Sequence, residues 1–233
     1  MNSDDIKKKS AKEALHYIKN NTIIGLGGGS TISYLIDYIK VTKDLNVKIV
    51  TPSFKTKMYC INEGLEVLHT CAVDKISVAF DGCDEVDENL NALKSGGGIH
   101  TMEKLIANMA EDYILLVDDA KFVQTLTFKY PVVLEILEDS LKYVEKKVLE
   151  LGGQPNVRKS SAKDGLTISD NGHLLMDVHF QDVKDVFELE NSLKSICGVI
   201  DTSIFTSVVT KVIIASKEGI KVVSNNEMIK GMR

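Results

Sequence analysis

The run KISVAF at 75–80 is too apolar and too short for a surface helix, so it reads as a buried strand. TIIGLG at 22–27, VKIVT at 47–51 and DYILLVDD at 112–119 read as further strands, with LEVL at 65–68 as a short one. Helical patterns separate them. Ile6, Ala14, Leu15 and Ile18 share helical spacing over 4–19, where Asn20-Asn21 ends the pattern. Ile32, Leu35, Ile36 and Ile39 form one face of a second helix that Ser30 or Thr31 is placed to cap, 54–63 is a third, and MEKLIANMA a fourth. Strand, turn and helix at this tempo predict an α/β fold, a Rossmann-like doubly wound parallel sheet, with ligands at the carboxyl ends of its strands.

The rhythm changes near Tyr130. YPVVLEIL is strand-like, DSLKYVEKKVLELGG is an amphipathic helix stopped at Gly152-Gly153, and LTISDNGHLLMDV predicts a hairpin around Asp170-Asn171-Gly172. The helix DVFELENSLKSI and the strand CGVID follow. This order fits a small α+β, ferredoxin-like domain over 130–203, inserted into a sheet domain made of 1–129 and 204–233. The strands KVIIAS and IKVVS belong to the sheet domain in this division.

With 28 basic and 33 acidic side chains the 233-residue chain carries a net charge of -5, which gives no reason to expect nucleic acid or an anionic membrane as partner. No apolar run follows the charges of MNSDDIKKKSAKEAL, and no segment reaches the roughly 18 apolar residues of a membrane span, so a cytoplasmic protein is expected. Cys60, Cys71, Cys83 and Cys197 form no C-x-x-C pair, and reduced, mostly buried thiols are expected.

Two stretches carry candidate chemistry. GLGGGST at 25–31 joins a strand to a helix, where Gly28, Gly29, Ser30 and Thr31 can offer backbone N–H groups and a helix N-terminus to a phosphate; a plain tight turn is the alternative. It matches neither the dinucleotide fingerprint nor a Walker loop. FDGCDEVDENLNALKSGGG at 80–98 places Asp81 and Asp84 directly after a strand, with Gly82 and Cys83 between them. Two such carboxylates can exchange protons with hydroxyls; the spacing does not match an EF-hand, and no metal site is nominated. Lys94 sets a cation before the flexible Ser95-Gly96-Gly97 segment, and Glu103 stands near the start of the next helix, where capping would also explain it. His100 shares helical spacing with Glu103, and alternation along a strand gives His173, Asp177 and His179 a solvent-facing reading.

Together with Glu103-Lys104, VDDAKFV, LGGQPNVRK and DNGHLLMDV, these two stretches resemble, in order and over nearly the whole chain, the ribose-5-phosphate isomerases of the A type. The resemblance implies a cofactor-free, metal-independent aldose-ketose isomerase that interconverts D-ribose 5-phosphate and D-ribulose 5-phosphate in the non-oxidative pentose phosphate pathway. It assigns Glu103 as the base moving a proton between C1 and C2, Asp81 to ring opening and proton traffic on the sugar oxygens, and Asp84 and Lys94 to the hydroxyls and the enediolate. The segments 81–84 and 94–97 are expected to line the sugar, and residues 28–31 the phosphate, with Lys121 and Lys7 as cations. A homodimer or homotetramer is implied.

Three departures stand out. Gly28 occupies a position where the family usually has Thr or Ser, Met102 one where it has arginine, and TSIFTSVVTKVIIAS matches its C-terminal segment loosely. A non-catalytic sugar-phosphate sensor of related fold is the competing reading. It is disfavoured by the retention of Glu103 and Lys94, and because about 20 residues before the first strand are too few for a helix-turn-helix head.

Overall fold

A computed structural model describes residues 3–161 and 164–224. Along the chain, α1 (Ser3–Ala14), β1 (Thr22–Leu26), α2 (Ser30–Val41), β2 (Val47–Val50), α3 (Phe54–Asn62) and β3 (Ile76–Asp81) lead to β4 (Glu85–Asp87) and β5 (Ala92–Leu93). Then come α4 (His100–Met109), β6 (Ala110–Asp118), β7 (Phe122–Val123), β8 (Val132–Ile136), α5 (Leu141–Glu150), β9 (Gln154–Val157) and β10 (Leu174–His179). The last elements are α6 (Val186–Lys194), β11 (Val199–Thr202), β12 (Ile204–Phe205), β13 (Lys211–Ala215) and β14 (Ile220–Ser224).

The principal sheet has the order β14-β13-β6-β3-β1-β2 and is parallel except for the β13–β14 pair. Its strands alternate sides as a period of two demands. Ile24, Leu26, Val78, Phe80, Ile114 and Leu116 pack with α1, α2 and α3, whereas Ala79, Tyr113, Leu115 and Val117 face Ile106 and Ala107 of α4. From β1 the chain crosses to β2 on one side and then to β3 on the other. The carboxyl ends of β1 and β3 therefore form the switch point at which such sheets bind ligands.

Strands β8 to β11 make a separate four-stranded antiparallel sheet in the order β11-β8-β10-β9, backed by Val144 and Val148 of α5 and Leu193 of α6. With its β-α-β-β-α-β sequence of elements this is the expected ferredoxin-like arrangement. A third sheet, β12-β5-β4-β7, was not foreseen; it folds the acidic stretch into a hairpin rather than a solvated loop. Asp87 shapes that hairpin, accepting the Asn89 and Asn91 N–H groups at 2.9 Å each, while Leu90 takes φ 62°.

Several local expectations need correction. LEVL contributes only the Ile49–Val67 bridge. The hairpin at 166–178 is reduced to a bridge between Ile168 and Leu174, and β10 pairs instead with β8 and β9. Residues 225–233 of the expected sheet domain lie outside the described residues. Among the described residues, no helix is long and apolar enough to cross a membrane.

Candidate active site

The glycines of the first turn have separate physical reasons. A Cβ on Gly25 would stand 2.6 Å from Ala79 Cβ, so this residue lets β1 lie close to β3. Gly27 N–H donates to Phe80 O at 2.8 Å, and a Cβ there would collide with the Asp81 carboxylate. Gly29, at φ 96°, is the N-cap of α2 and offers no side-chain cap. The expected capping by Ser30 or Thr31 is thus corrected: both lie inside the helix, whose first N–H groups stay free of side-chain acceptors.

Asp81 ends β3 and is 3% exposed. Its Oδ1 accepts Gly82 N–H at 2.8 Å and Gly28 N–H at 3.4 Å, and its Oδ2 accepts the Tyr113 hydroxyl at 3.2 Å. Lys94 Nζ lies 3.1 Å from Asp81 Oδ2 and 3.4 Å from Glu103 Oε2, and also donates to Gly82 O. One ammonium thus stands between two carboxylates, and all three are buried.

Burial first, and the Asp81 charge second, push the Glu103 carboxyl up to about 8. Burial works against the Lys94 ammonium, but Asp81 and Glu103 outweigh it and hold its pKa above the ordinary lysine value. Burial, followed by Asp81, likewise raises the Tyr113 phenol. Glu103 is therefore no simple helix cap. It is a desolvated carboxyl group, fixed in the first turn of α4 and aimed at the same cation as Asp81.

Two adjoining cavities meet at Gly28, Gly29, Gly82 and Lys121. One, of about 410 Å³, is lined by Lys7, Ser10, Ser30, Thr31, Asp118 and Lys121 among others. The other, of about 530 Å³, contains Asp81, Cys83, Asp84, Lys94, Gly96, Gly97 and Glu103. Cations and a free helix N-terminus at one end, with the carboxylate–lysine cluster at the other, suit a ligand with an anionic head and a hydroxylated tail.

Asp84 Oδ2 accepts Gly96 N–H at 3.0 Å, tying the acidic turn to the glycine loop. Lys121 Nζ donates to Cys83 O at 2.9 Å, and Lys7 lies 3.6 Å from Asp4. Cys83 is buried, which pushes its thiol up to about 12. Ser95 is expected at the sugar but lines neither cavity; its hydroxyl donates to Pro131 O, and its carbonyl accepts Arg158 Nη2 at 2.9 Å.

Other participants were not assigned from the sequence. Arg158 is paired with Asp177 through Nε at 3.0 Å, so Asp177 is a structural anchor and not simply solvent-facing. His173 is likewise engaged, 3.0 Å from Glu135, while His179 is exposed. Ser53, Phe54 and Lys55 line the larger cavity from the start of α3, where Ser53 caps the helix by accepting Thr56 N–H; nothing local in the sequence ties that helix start to the cavity. Lys104 is buried, with Nζ 2.6 Å from Glu190 Oε1 and 2.7 Å from both Asp201 Oδ1 and Thr202 O. This cluster pins the helix that carries Glu103. His100 is fully buried, and burial together with Lys104 pulls its pKa down to about 4, which suits a neutral packing residue. Among the described residues no group of three or more His, Cys, Asp or Glu side chains is arranged to hold a metal ion.

The family profile of ribose 5-phosphate isomerase A (phosphoriboisomerase A) matches residues 48–219. Ribose-5-phosphate isomerase A of Pyrococcus abyssi is 37% identical over 225 residues, covering 95% of this chain and 98% of that protein. The Methanocaldococcus jannaschii protein of the same name is 36% identical over the same shares. A solved structure of the Methanocaldococcus jannaschii ribose 5-phosphate isomerase A matches with TM-score 0.90 and 34% identity, covering 96% of this chain and 100% of that one. A D-ribose-5-phosphate isomerase solved in complex with phospho-erythronic acid matches with TM-score 0.90 and 35% identity over 97% and 100% of the two chains. The likeness covers 95% of this chain in the Pyrococcus abyssi comparison and 96% in the Methanocaldococcus jannaschii structure, and the chain belongs to the ribose 5-phosphate isomerase A family.

Proposed function

We propose that this chain interconverts D-ribose 5-phosphate and D-ribulose 5-phosphate through an enediolate, with Glu103 as the base that carries the proton between C2 and C1. The observation that carries the reading is the buried Lys94 ammonium held 3.1 Å from Asp81 and 3.4 Å from Glu103 at the ligand-binding end of the sheet. Abstraction of a weakly acidic C–H proton needs a carboxylate poised near neutrality and a cation for the developing oxyanion. The pair Glu103 and Lys94 meets both needs.

Glu103 removes the C2 proton of the open-chain aldose, and the electrons move to O1 beside Lys94. The Glu103 acid then returns that proton to C1. Meanwhile a proton passes from the C2 hydroxyl to O1 by way of Asp81, which also assists opening of the furanose ring. Asp84, Gly96 and Gly97 hold sugar hydroxyls, and Gly28 to Thr31 with Lys121 and Lys7 hold the phosphate. The solved relative in complex with phospho-erythronic acid supports this assignment, since a phosphorylated sugar acid pairs a phosphate with an anionic carbon end. No step is assigned to a metal ion.

The likeness extends the reading to a cytoplasmic homodimer or homotetramer acting in the pentose phosphate pathway. It also supports a division in which 1–129 with 204–233 hold the chemistry and 130–203 form an inserted domain. The direct test is conversion of ribose 5-phosphate to ribulose 5-phosphate by the purified protein in EDTA. Turnover that survives chelation is expected; a protein that binds the sugar phosphate without turnover would overturn the reading in favour of a sensor.

A further inference from the structure

Among the described residues lining the larger cavity, Asp170 is the single contribution of the four-stranded sheet and its connections. It sits on a tight turn in which Ser169 N–H donates to His173 O at 2.8 Å, Gly172 N–H donates to Ser169 O at 2.9 Å, and Gly172 takes φ 86°. Beneath the turn lies Glu135 of β8, which is 0% exposed. Its Oε1 accepts the Ser169 hydroxyl at 2.5 Å and Asn171 Nδ2 at 3.2 Å, and lies 3.0 Å from His173 Nδ1. Ser169 Oγ in turn accepts the N–H groups of Asn171 at 3.3 Å and His173 at 3.2 Å.

Residues on both sides of Asp170 are thus tied to one buried carboxylate. Asp170 itself is exposed and makes no hydrogen bond or ion pair among the described residues. A turn of this kind reverses a chain on its own sequence chemistry, and burying a charge beneath it is costly. The expense is explained if the turn must hold its acid in one place. Burial works against the Glu135 charge, but the bonds from Ser169, His173 and Asn171 outweigh it and keep its carboxyl below the ordinary glutamate range, so the fixture stays charged at neutral pH.

We propose that Asp170 is a specificity-determining residue whose carboxylate accepts a hydrogen bond from a hydroxyl of the bound sugar, and that Glu135 is the positioning residue that fixes it. The proposal rests on the isomerase reading. It gives the inserted sheet a part in substrate choice, since a site built to bond a hydroxyl discriminates against a sugar that presents it wrongly.

The test compares wild type with Asp170→Ala, Glu135→Gln and the double variant. Arabinose 5-phosphate and xylose 5-phosphate, the C2 and C3 epimers of ribose 5-phosphate, serve as competing substrates. Asp170→Ala is expected to raise KM for ribose 5-phosphate about tenfold, with kcat within about twofold, the size of one lost charge-assisted hydrogen bond. The preference over at least one epimer should narrow by about the same factor, with Tm unchanged. Glu135→Gln should reproduce the KM effect, and the double variant should be no worse than Asp170→Ala alone. If Glu135→Gln fails to fold, Asn171→Ala takes its place. Unchanged KM and epimer preferences in Asp170→Ala would overturn the proposal, and additive effects would overturn the role of Glu135. A wild type without turnover would sink the isomerase reading instead, so the two failures are distinguishable.

Discussion

A Cβ on Gly27 would stand 1.9 Å from Asp81 Oδ1, so the turn after β1 and the carboxylate ending β3 occupy mutually dependent space. Asp81 is short, buried and bonded to the Gly28 and Gly82 N–H groups, Tyr113 and Lys94, so it has nowhere to retreat. Gly27→Ala is therefore expected to displace Asp81 and lower kcat by about 10²-fold, the cost of roughly an ångström of misplacement. Steady-state kinetics beside a circular dichroism spectrum would check this, and a fully active Gly27→Ala would contradict it.

The neighbouring position behaves differently. A Cβ on Gly28 would meet nothing nearer than Ser53 Oγ at 3.7 Å, so a hydroxyl-bearing side chain fits. Gly28→Ser should fold normally and lower KM for ribose 5-phosphate by about fivefold, the value of roughly one added hydrogen bond. Lys121→Ala should raise KM by about tenfold and leave kcat nearly untouched, because phosphate binding is shared by ground and transition states. Paired KM and kcat measurements on both variants separate these outcomes from a catalytic role.

Lys104 stands next to the proposed base but points into an ion cluster with Glu190 and Asp201. Removing its charge leaves two poorly solvated carboxylates, Glu190 also holding the Thr206 N–H at 3.1 Å. Lys104→Met is expected to destabilise the chain by about 3–5 kcal/mol, the usual cost of breaking a buried pair from one side. Urea denaturation measures it, and a change below about 1 kcal/mol would show that the cluster relaxes without Lys104.

The pH dependence follows from Glu103, whose carboxyl stands at about 8 against an ordinary 4.5. The free enzyme is active with Glu103 ionised, so kcat/KM should climb with pH toward about 8. Asp81→Asn removes a like charge and should move that limb to lower pH. Stability runs the opposite way. The folded chain holds the Glu103 proton more tightly than the unfolded chain, so this contribution is complete below about 4.5 and lost as pH rises through about 8. Glu103→Gln should accordingly raise Tm at pH 9, by several degrees, and leave it nearly unchanged at pH 4, as thermal melts would register.

The principal sheet was legible because its strands are continuous apolar runs punctuated by glycines, and a period of two differs plainly from a helical one. The third sheet was not. β5, β7 and β12 are two residues long and meet from distant parts of the chain, which leaves no local signal. β9 escaped notice because Gln154–Val157 is mostly polar and contains Pro155, tolerated here because β9 lies at a sheet edge. The same contrast holds at the site. Asp81, Asp84, Lys94 and Glu103 are marked by one local stretch, and the fold brings them to one cavity. Asp170, Ser53 and Glu135 come from other elements, and only tertiary packing makes them neighbours of that cavity or of its supports.

The central claim is that Glu103 moves the proton. Its most direct test is the kcat of Glu103→Gln with ribose 5-phosphate, since Gln keeps the shape of the side chain and removes its basicity. The expected result is a fall in kcat of about 10²–10⁴-fold with KM within severalfold of wild type. A Glu103→Gln protein that retains wild-type kcat would contradict the mechanism.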